Sequence, residues 1–480
     1  MRTSFFAVRR VVVTAGILAF AAFAPGCNTD ALLTATDPDL VNPKDLDNPD
    51  GAEGLRLGAM RRWVLSTAGP NSNGNESTWL FGGLLADEWG TASTFVQNDQ
   101  ADRRQIGADN STVTNAFRTL HRVRTAVNQA LPMMRKWRAT ETTKIAELYL
   151  ARAYAEMQLA SDFCNGIPMS DATAADGTII FGNPLSGDSV FRLAIVSADS
   201  GLATTAATDT QTVAVLNALR VIKARAQMGI AKPATLAADL AAAAATVAGV
   251  PTTFSYNHTF SSTAGSNGIW GQPRSNRRYL VGDSLEGNAR NILVANAIPF
   301  FSSADPRILG KYSVSTNGRD TTKSQDGITN SRITDIYDEL TSVAVANGLD
   351  ARLIEAESQL ANGGGWLATL NTLRGTARTL GTISVPVMAN LADPGPGAGT
   401  DPNELRQNLV FREKAFWTFT RGQRLNDMRR LVRQYGRATT TVFPEGVHYR
   451  GGTYGTDVNL PVPQQEQNNP NFQGCTDRNA

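Results

Sequence analysis

The stretch Asn408–Leu431, NLVFREKAFWTFTRGQRLNDMRRL, decides how this chain is read. Phe411, Ala415 and Phe419 recur at helical spacing, and Leu425 and Met428 continue the stripe past Gly422. Residues three and four apart share a helix face, so the pattern predicts an amphipathic helix broken at the glycine. Its other faces carry Arg412, Arg421, Arg424, Asp427, Arg429 and Arg430. A guanidinium tolerates partial burial where a carboxylate meets it, and Glu413 and Asp427 are at hand. The expectation is a structural helix with paired arginines, not a catalytic arginine cluster.

Working outward, the C-terminal segment NLPVPQQEQNNPNFQGC, Asn459–Cys475, has prolines at 461, 463 and 470 and suits an extended run closing against the body. Upstream, helical stripes recur. Val113, Phe117, Leu120, Val127, Leu131 and Met134 form one, and Ile145, Leu148, Ala151, Ala155 and Leu159 a second. Val215, Leu219, Ile222 and Ala226 are followed after a short connection by Leu236, Leu240, Ala244 and Val247. Leu349, Leu353, Ala356 and Leu360 precede a Gly363–Gly365 break and then Leu367, Leu370, Leu373 and Ala377. Recurrent helix–turn–helix pairs with small residues on the facing sides predict tetratricopeptide-like hairpins stacked into a continuous core. Three tracts without helical periodicity, 67–110, 251–332 and 384–400, interrupt the array; loops of that length inside a folded protein are often functional. The predicted fold class is mainly α, with loop-rich inserts.

Two more stretches complete the pattern: AELYLARAYAEMQLASDFCNGIPMS, with Gly166, Ile167 and Pro168 at its exit, and LIEAESQLANGG followed by TLNTLRGTA. Together these pieces resemble the SusD/RagB family of outer-membrane nutrient-binding lipoproteins. That family carries a helix of the form E-R-x-x-E-L-x-F-E-G-x-R-x-x-D-L-x-R, matched here by Arg412, Phe419, Gly422, Arg424, Asp427 and Arg430. Its terminal L-P-I-P-x-x-E-x-x-x-N-P pattern is matched by Leu460, Pro461, Val462, Pro463, Glu466, Asn469 and Pro470. The resemblance implies a helical lipoprotein acting as a lid on a TonB-dependent, SusC-like outer-membrane β-barrel. It would capture oligosaccharides, or peptides, for import without breaking a bond. A tetratricopeptide-like envelope scaffold that binds other proteins is the alternative.

The N-terminus agrees with that implication. Arg2, Arg9 and Arg10 precede an uncharged run, Val11–Phe23, that is too short for a bilayer needing about 20 apolar residues. Ala24, Pro25 and Gly26 then lead to Cys27, as in a bacterial lipobox. Residues 1–26 are therefore expected to be a lipoprotein signal peptide. Residues 27–54 would be a lipidated N-terminus and flexible leash, and 55–480 a single helical domain. Acyl chains on Cys27 would moor the protein to the outer membrane, surface-exposed, since two or more chains hold stably where one holds marginally.

Composition narrows the functions. Of 480 residues 18% are charged and the net charge is +2, which gives no basic footprint for nucleic acid. Only three cysteines occur; beyond Cys27, Cys164 and Cys475 are either a disulfide or two buried thiols. His121, His258 and His448 are scattered and no paired C-x-x-C exists, so neither a metal nor any other cofactor is expected. The GDSL sequence at Gly282–Leu285 is central and lacks the other blocks of GDSL hydrolases, so no catalytic residue is assigned. For sugar binding the useful groups are aromatic rings in loops with polar neighbours. By that criterion the candidates are Trp79, Asp87 and Trp89 in the first tract and Trp270, Arg274, Arg277 and Tyr279 in the second. Trp63, Trp137, Trp366 and Trp417 fall in helical stretches and are expected in the core or in helix packing.

Overall fold

The computed structural model describes residues 46–69, 77–172, 178–287, 291–315, 318, 320–397, 401 and 403–480. The expected signal peptide, Cys27 and most of the leash lie outside these. A folded unit spans Asp47–Ala480. Asn48 accepts from the N–H groups of Asp50 and Gly51 and Pro49 occupies the first turn, a strong helix start. The first helix, α1 (Pro49–Thr67), begins inside the stretch 27–54 expected to be a leash.

Thirteen α-helices lie among the described residues. After α1 come two short ones, α2 (Thr78–Leu85) and α3 (Val96–Asp102), then the long α4 (Ser111–Trp137) and α5 (Thr142–Asp162). Next are α6 (Gly187–Thr204), α7 (Thr210–Ile230), α8 (Leu236–Val247) and the short α9 (Gly268–Arg274). The last four are α10 (Gly348–Ala361), α11 (Trp366–Arg374), α12 (Glu404–Trp417) and α13 (Arg424–Arg433). Helices α1, α4, α5, α6, α7, α8, α10 and α11 pack in series, except that α1 meets α4 directly and α8 meets α10. This is a stacked array of helical hairpins. The apolar stripes predict α4, α5, α7, α8, α10 and α11; Ala377 falls beyond the end of α11. Helix α6 was not anticipated. Its Gly201 has room for no Cβ between Leu219 of α7 and Tyr149 of α5, so the small residue sets how closely three helices approach.

The rest of the molecule is a layer of short antiparallel ladders, each two-stranded and two to five residues long. Strand Trp89–Thr91 pairs with Tyr279–Val281, Gly310–Tyr312 with Arg332–Thr334, and Ser255–His258 with Val343–Asn347. The tracts expected to be loops over 67–110 and 251–332 are thus partly regular: the first holds α2 and α3, the second α9 and several strands. The third, 384–400, carries one strand end at Ile383–Val385 and no further helix or strand among its described residues.

Helices α12 and α13 join array and layer. The helix break lies at Thr418–Gln423, with Gly422 at φ +61° and Thr420 at φ +74°. A Cβ at 422 would overlap the indole of Trp79, so only glycine lets the chain turn there. The arginines are structural, as expected, but their partners differ. Arg421 clasps Asp350 (2.9 and 2.6 Å), Arg430 and Lys414 converge on Glu357, and Glu413 binds Arg307 and Arg374 instead of the arginines of its own segment. Asp427 does meet Arg430 (3.3 Å) and Lys414 (2.7 Å). The C-terminal run closes on the end of α5: Phe163 bridges Leu460, Cys164 N–H donates to Leu460 O, and a disulfide joins Cys164 to Cys475 with Cα atoms 5.7 Å apart.

Candidate ligand-binding site

The candidates chosen from sequence divide sharply. Trp79, Asp87, Trp89 and Tyr279 lie in the interior, each at most 2% exposed, and offer no platform to a ligand. The cause is local. Ser77 caps α2, and TWLFGGLL from Thr78 to Leu85 is buried throughout, so Trp79 belongs to a helix. Its Nε1 donates to Tyr154 Oη at 2.6 Å, and Tyr154, Gln158 and Asp162 continue the chain of bonds. Trp89 and Tyr279 meet diagonally across the first ladder, edge to face with ring centroids 6.5 Å apart. Trp270 is half-buried against the core, and Arg274 is tied to Asp335 and Thr334 O. Arg277 is exposed, and its Nη1 donates to Lys323 O at 3.2 Å. Of the helical tryptophans, Trp63, Trp366 and Trp417 are buried as expected, whereas Trp137 is 39% exposed.

A residue overlooked in the sequence supplies what those candidates lack. Tyr312, 46% exposed, stands directly opposite Arg332 in the ladder Gly310–Tyr312/Arg332–Thr334. Opposed residues of an antiparallel pair share one face. They line a pocket of about 220 Å³ with Phe301, Asp283, Glu286 and Asn330. The Tyr312 ring meets the Phe301 edge at 4.9 Å, and the Arg332 guanidinium lies 5.5 Å from the Phe301 centroid. Arg332 donates to Glu286 at 2.6 Å and sits 4.0 Å from Asp283. Asp283 Oδ1 accepts from Ser302 Oγ and from Ser284 N–H. Burial pushes the Glu286 carboxyl up while Arg332 pulls it back. The result is an exposed aromatic face beside a fixed carboxylate and guanidinium, suited to holding a polyhydroxylated ring by stacking and directed hydrogen bonds. The Asn317-Gly318 turn signal five residues on marks a hairpin, but nothing in the sequence pairs the tyrosine with Arg332.

A larger cleft of about 860 Å³ runs between Ser255–His258, the hairpin Arg378–Val385 and helices α10 to α12. Thr341, Thr369, Thr372 and Thr376 line it, but its aromatic floor of Tyr337, Trp417 and Phe419 is at most 6% exposed. It offers hydroxyl groups and few ring faces. Neither place assembles a nucleophile with a base. In the GDSL segment Ser284 has no histidine partner: His448 is bound to Asp102 at 3.2 Å and accepts from Arg450 N–H. His258 is buried and His121 half-buried, and desolvation holds both well below the usual imidazole range. Among the described residues no group of three or more His, Cys, Asp or Glu has metal-holding geometry.

The sequence matches no protein-family model and no curated protein. Solved structures do match. A SusD superfamily protein from Parabacteroides distasonis superposes with TM-score 0.59 at 13% identity, covering 91% of this chain and 100% of that one. The chain has the SusD-like fold. A SusD-like carbohydrate-binding protein from Bacteroides fragilis gives TM-score 0.59 at 15% identity, over 89% of this chain and 99% of its own. Surface glycan-binding protein A from Bacteroides uniformis gives 0.56 at 13%, over 88% and 99%. The SusD-like likeness thus spans both the helical array and the ladder layer, and at these identities it speaks for architecture.

Proposed function

We propose that this SusD-like protein is a cell-surface lipoprotein that binds an oligosaccharide and delivers it to a SusC-like, TonB-dependent barrel. The observation that carries the reading is Tyr312, an exposed ring beside the Asp283–Arg332 pair in a pocket the size of one sugar ring. Two of the matched structures are described as carbohydrate- or glycan-binding, which supports the same ligand class. Arg277 remains a rim contact in this proposal: it holds Lys323, whose Nζ donates to Asn330 Oδ1 at the pocket wall. Mooring follows from acylation of Cys27, leaving residues up to 48 as the leash. No helix among the described residues is long and apolar enough to cross a membrane, so the lipid supplies attachment. Binding would favour the closed lid by contacts made in that state alone. No bond is broken, and Ser284 plays no nucleophilic part.

Calorimetric titration of the detergent-extracted full-length protein with glycan and peptide panels tests the proposal. Saturable heats with a glycan, weakened in Tyr312→Ala, are expected. Flat traces across both panels would instead favour a protein-binding scaffold, and co-purification of a large β-barrel under gentle extraction checks the partner.

A further inference from the structure

A second pocket, of about 310 Å³, lies between α12, α13 and the segment Asn296–Pro299. Its walls are apolar at Ile298, Phe411 and Leu431 and cationic at Arg412, Arg424 and Arg437, and no acidic side chain lines it. Arg437 is matched at both terminal nitrogens, where Glu404, Gln407 and Asn408 accept, and only its Nε–H lacks a partner. Arg424 is not. It is 7% exposed, its Nε donates to Ala86 O at 3.0 Å, and its other N–H groups have no hydrogen-bond partner among the described residues. Its neighbours in the segment are matched to carboxylates, Arg421 to Asp350 and Arg430 to Glu357. None of the acids that face Arg424, Asp87, Glu88 and Asp427, hydrogen-bonds its guanidinium. Asp427 holds Lys414 and Arg430, while burial pushes Glu88 up to about 8 and Asp87 well above the carboxylate range. Arg412, exposed on the same pocket, touches the Phe416 ring at 5.5 Å and has no carboxylate partner among the described residues.

A buried guanidinium is costly unless a counter-charge meets its donors, and its planar fork fits an oxyanion. We infer that this pocket is an oxyanion site for a ring-sized organic acid, the charge on Arg424 and Arg412 and the ring against Ile298, Phe411 and Leu431. A carboxylate on a sugar ring and a phosphate ester on one share that chemistry. The site is separate from the Tyr312 pocket and does not depend on it.

The test is calorimetry on the full-length protein with glucuronate, glucose 6-phosphate and glucose as probes, at low salt and at high salt. With the Tyr312 pocket removed by Tyr312→Ala, at least one acid still binds saturably, salt weakens it, and glucose gives no heat; the tighter acid names the source of the charge. Arg412→Gln weakens the acid about tenfold, the loss of one charge-assisted contact. Arg424→Lys weakens it at least as much. Should that variant fail to fold, Ile298→Trp fills the pocket, keeps every arginine, and abolishes binding. Tyr312→Ala leaves the acid's affinity unchanged. The inference is overturned if neither acid binds, if glucose matches them, if Arg412→Gln and Ile298→Trp are both without effect, or if Tyr312→Ala alone removes binding.

Discussion

The helical array and the ladder layer are held together in different ways. In the array, the apolar faces of neighbouring helices carry most of the packing: α5 sits between α4 and α6 with its face from Ile145 to Leu159 buried. In the layer, strands of two to five residues bury too little to hold themselves, and distant polar ties do the work. Arg104 reaches the carbonyls of Pro444 and Asp457, and Arg332 reaches Glu286. Arg421 and Arg430 fasten α13 and the break before it to α10. Periodic burial builds the scaffold, while charge pairs between residues distant in sequence hold the ladders and the helices α12 and α13 around the pockets.

That contrast can be broken in order of size. Replacing one partner of a buried ion pair leaves an uncompensated charge. Arg430→Met, beside the fully buried Glu357, should therefore cost about 3–5 kcal/mol in denaturant unfolding. A cost below 1 kcal/mol would mean that Lys414 and Tyr435 suffice to hold Glu357. Next, the Cys164–Cys475 bridge closes a very long loop, and Cys475→Ser should lower stability by about 2–4 kcal/mol. Gly422→Ala should cost about 2 kcal/mol from the positive φ alone, more with the Trp79 overlap, whereas alanine at exposed Val196 should change little.

Much of this was legible in the sequence, for physical reasons. Six helices of the array declared themselves through 3.6-residue periodicity. So did the C-terminal arginine helix, because a guanidinium stripe beside an apolar one needs carboxylates nearby. Helix α6 escaped because Gly187, Ser189, Ser197 and Gly201 dilute its stripe. The arginine partners escaped because Asp350, Glu357 and Arg307 lie far off in sequence. The first tract misled: Trp79 and Trp89 read as loop aromatics because the Gly82-Gly83 pair looks like a turn, yet both glycines sit inside a buried helix. Tyr312 left no signal, since its partner Arg332 is reached only through ladder pairing.

Acidity offers a subtler break. Burial pushes Glu88 up to about 8 and Asp162 to about 7, so the native state keeps protons that the unfolded chain releases at ordinary carboxylate pH. Where the native state binds more protons, stability falls as pH rises, here from about 4.5 toward 8 for Glu88. Desolvation drives that rise against the Thr420 N–H, which donates to Glu88 Oε1 at 2.9 Å and favours the charged form. Melting temperature should therefore decline across that window, and Glu88→Gln should decline less. A variant that melts with the same pH slope as the wild type would show that Glu88 is ionised throughout.

The smallest expected change concerns the pocket itself. Tyr312 is half exposed and meets Phe301 edge to face, so Tyr312→Ala should shift unfolding by less than about 0.5 kcal/mol, as surface substitutions do. The same substitution removes the stacking face and should weaken a bound glycan by about 1 kcal/mol, roughly fivefold. Tyr312→Phe separates the two contributions of the side chain, because it keeps the ring and discards the hydroxyl. Near wild-type affinity in the phenylalanine variant, with loss in the alanine one, assigns the contact to the ring face. Equal loss in both would transfer it to the hydroxyl, and the pocket would then bind through Asp283, Asn330 and Arg332 with the ring a bystander.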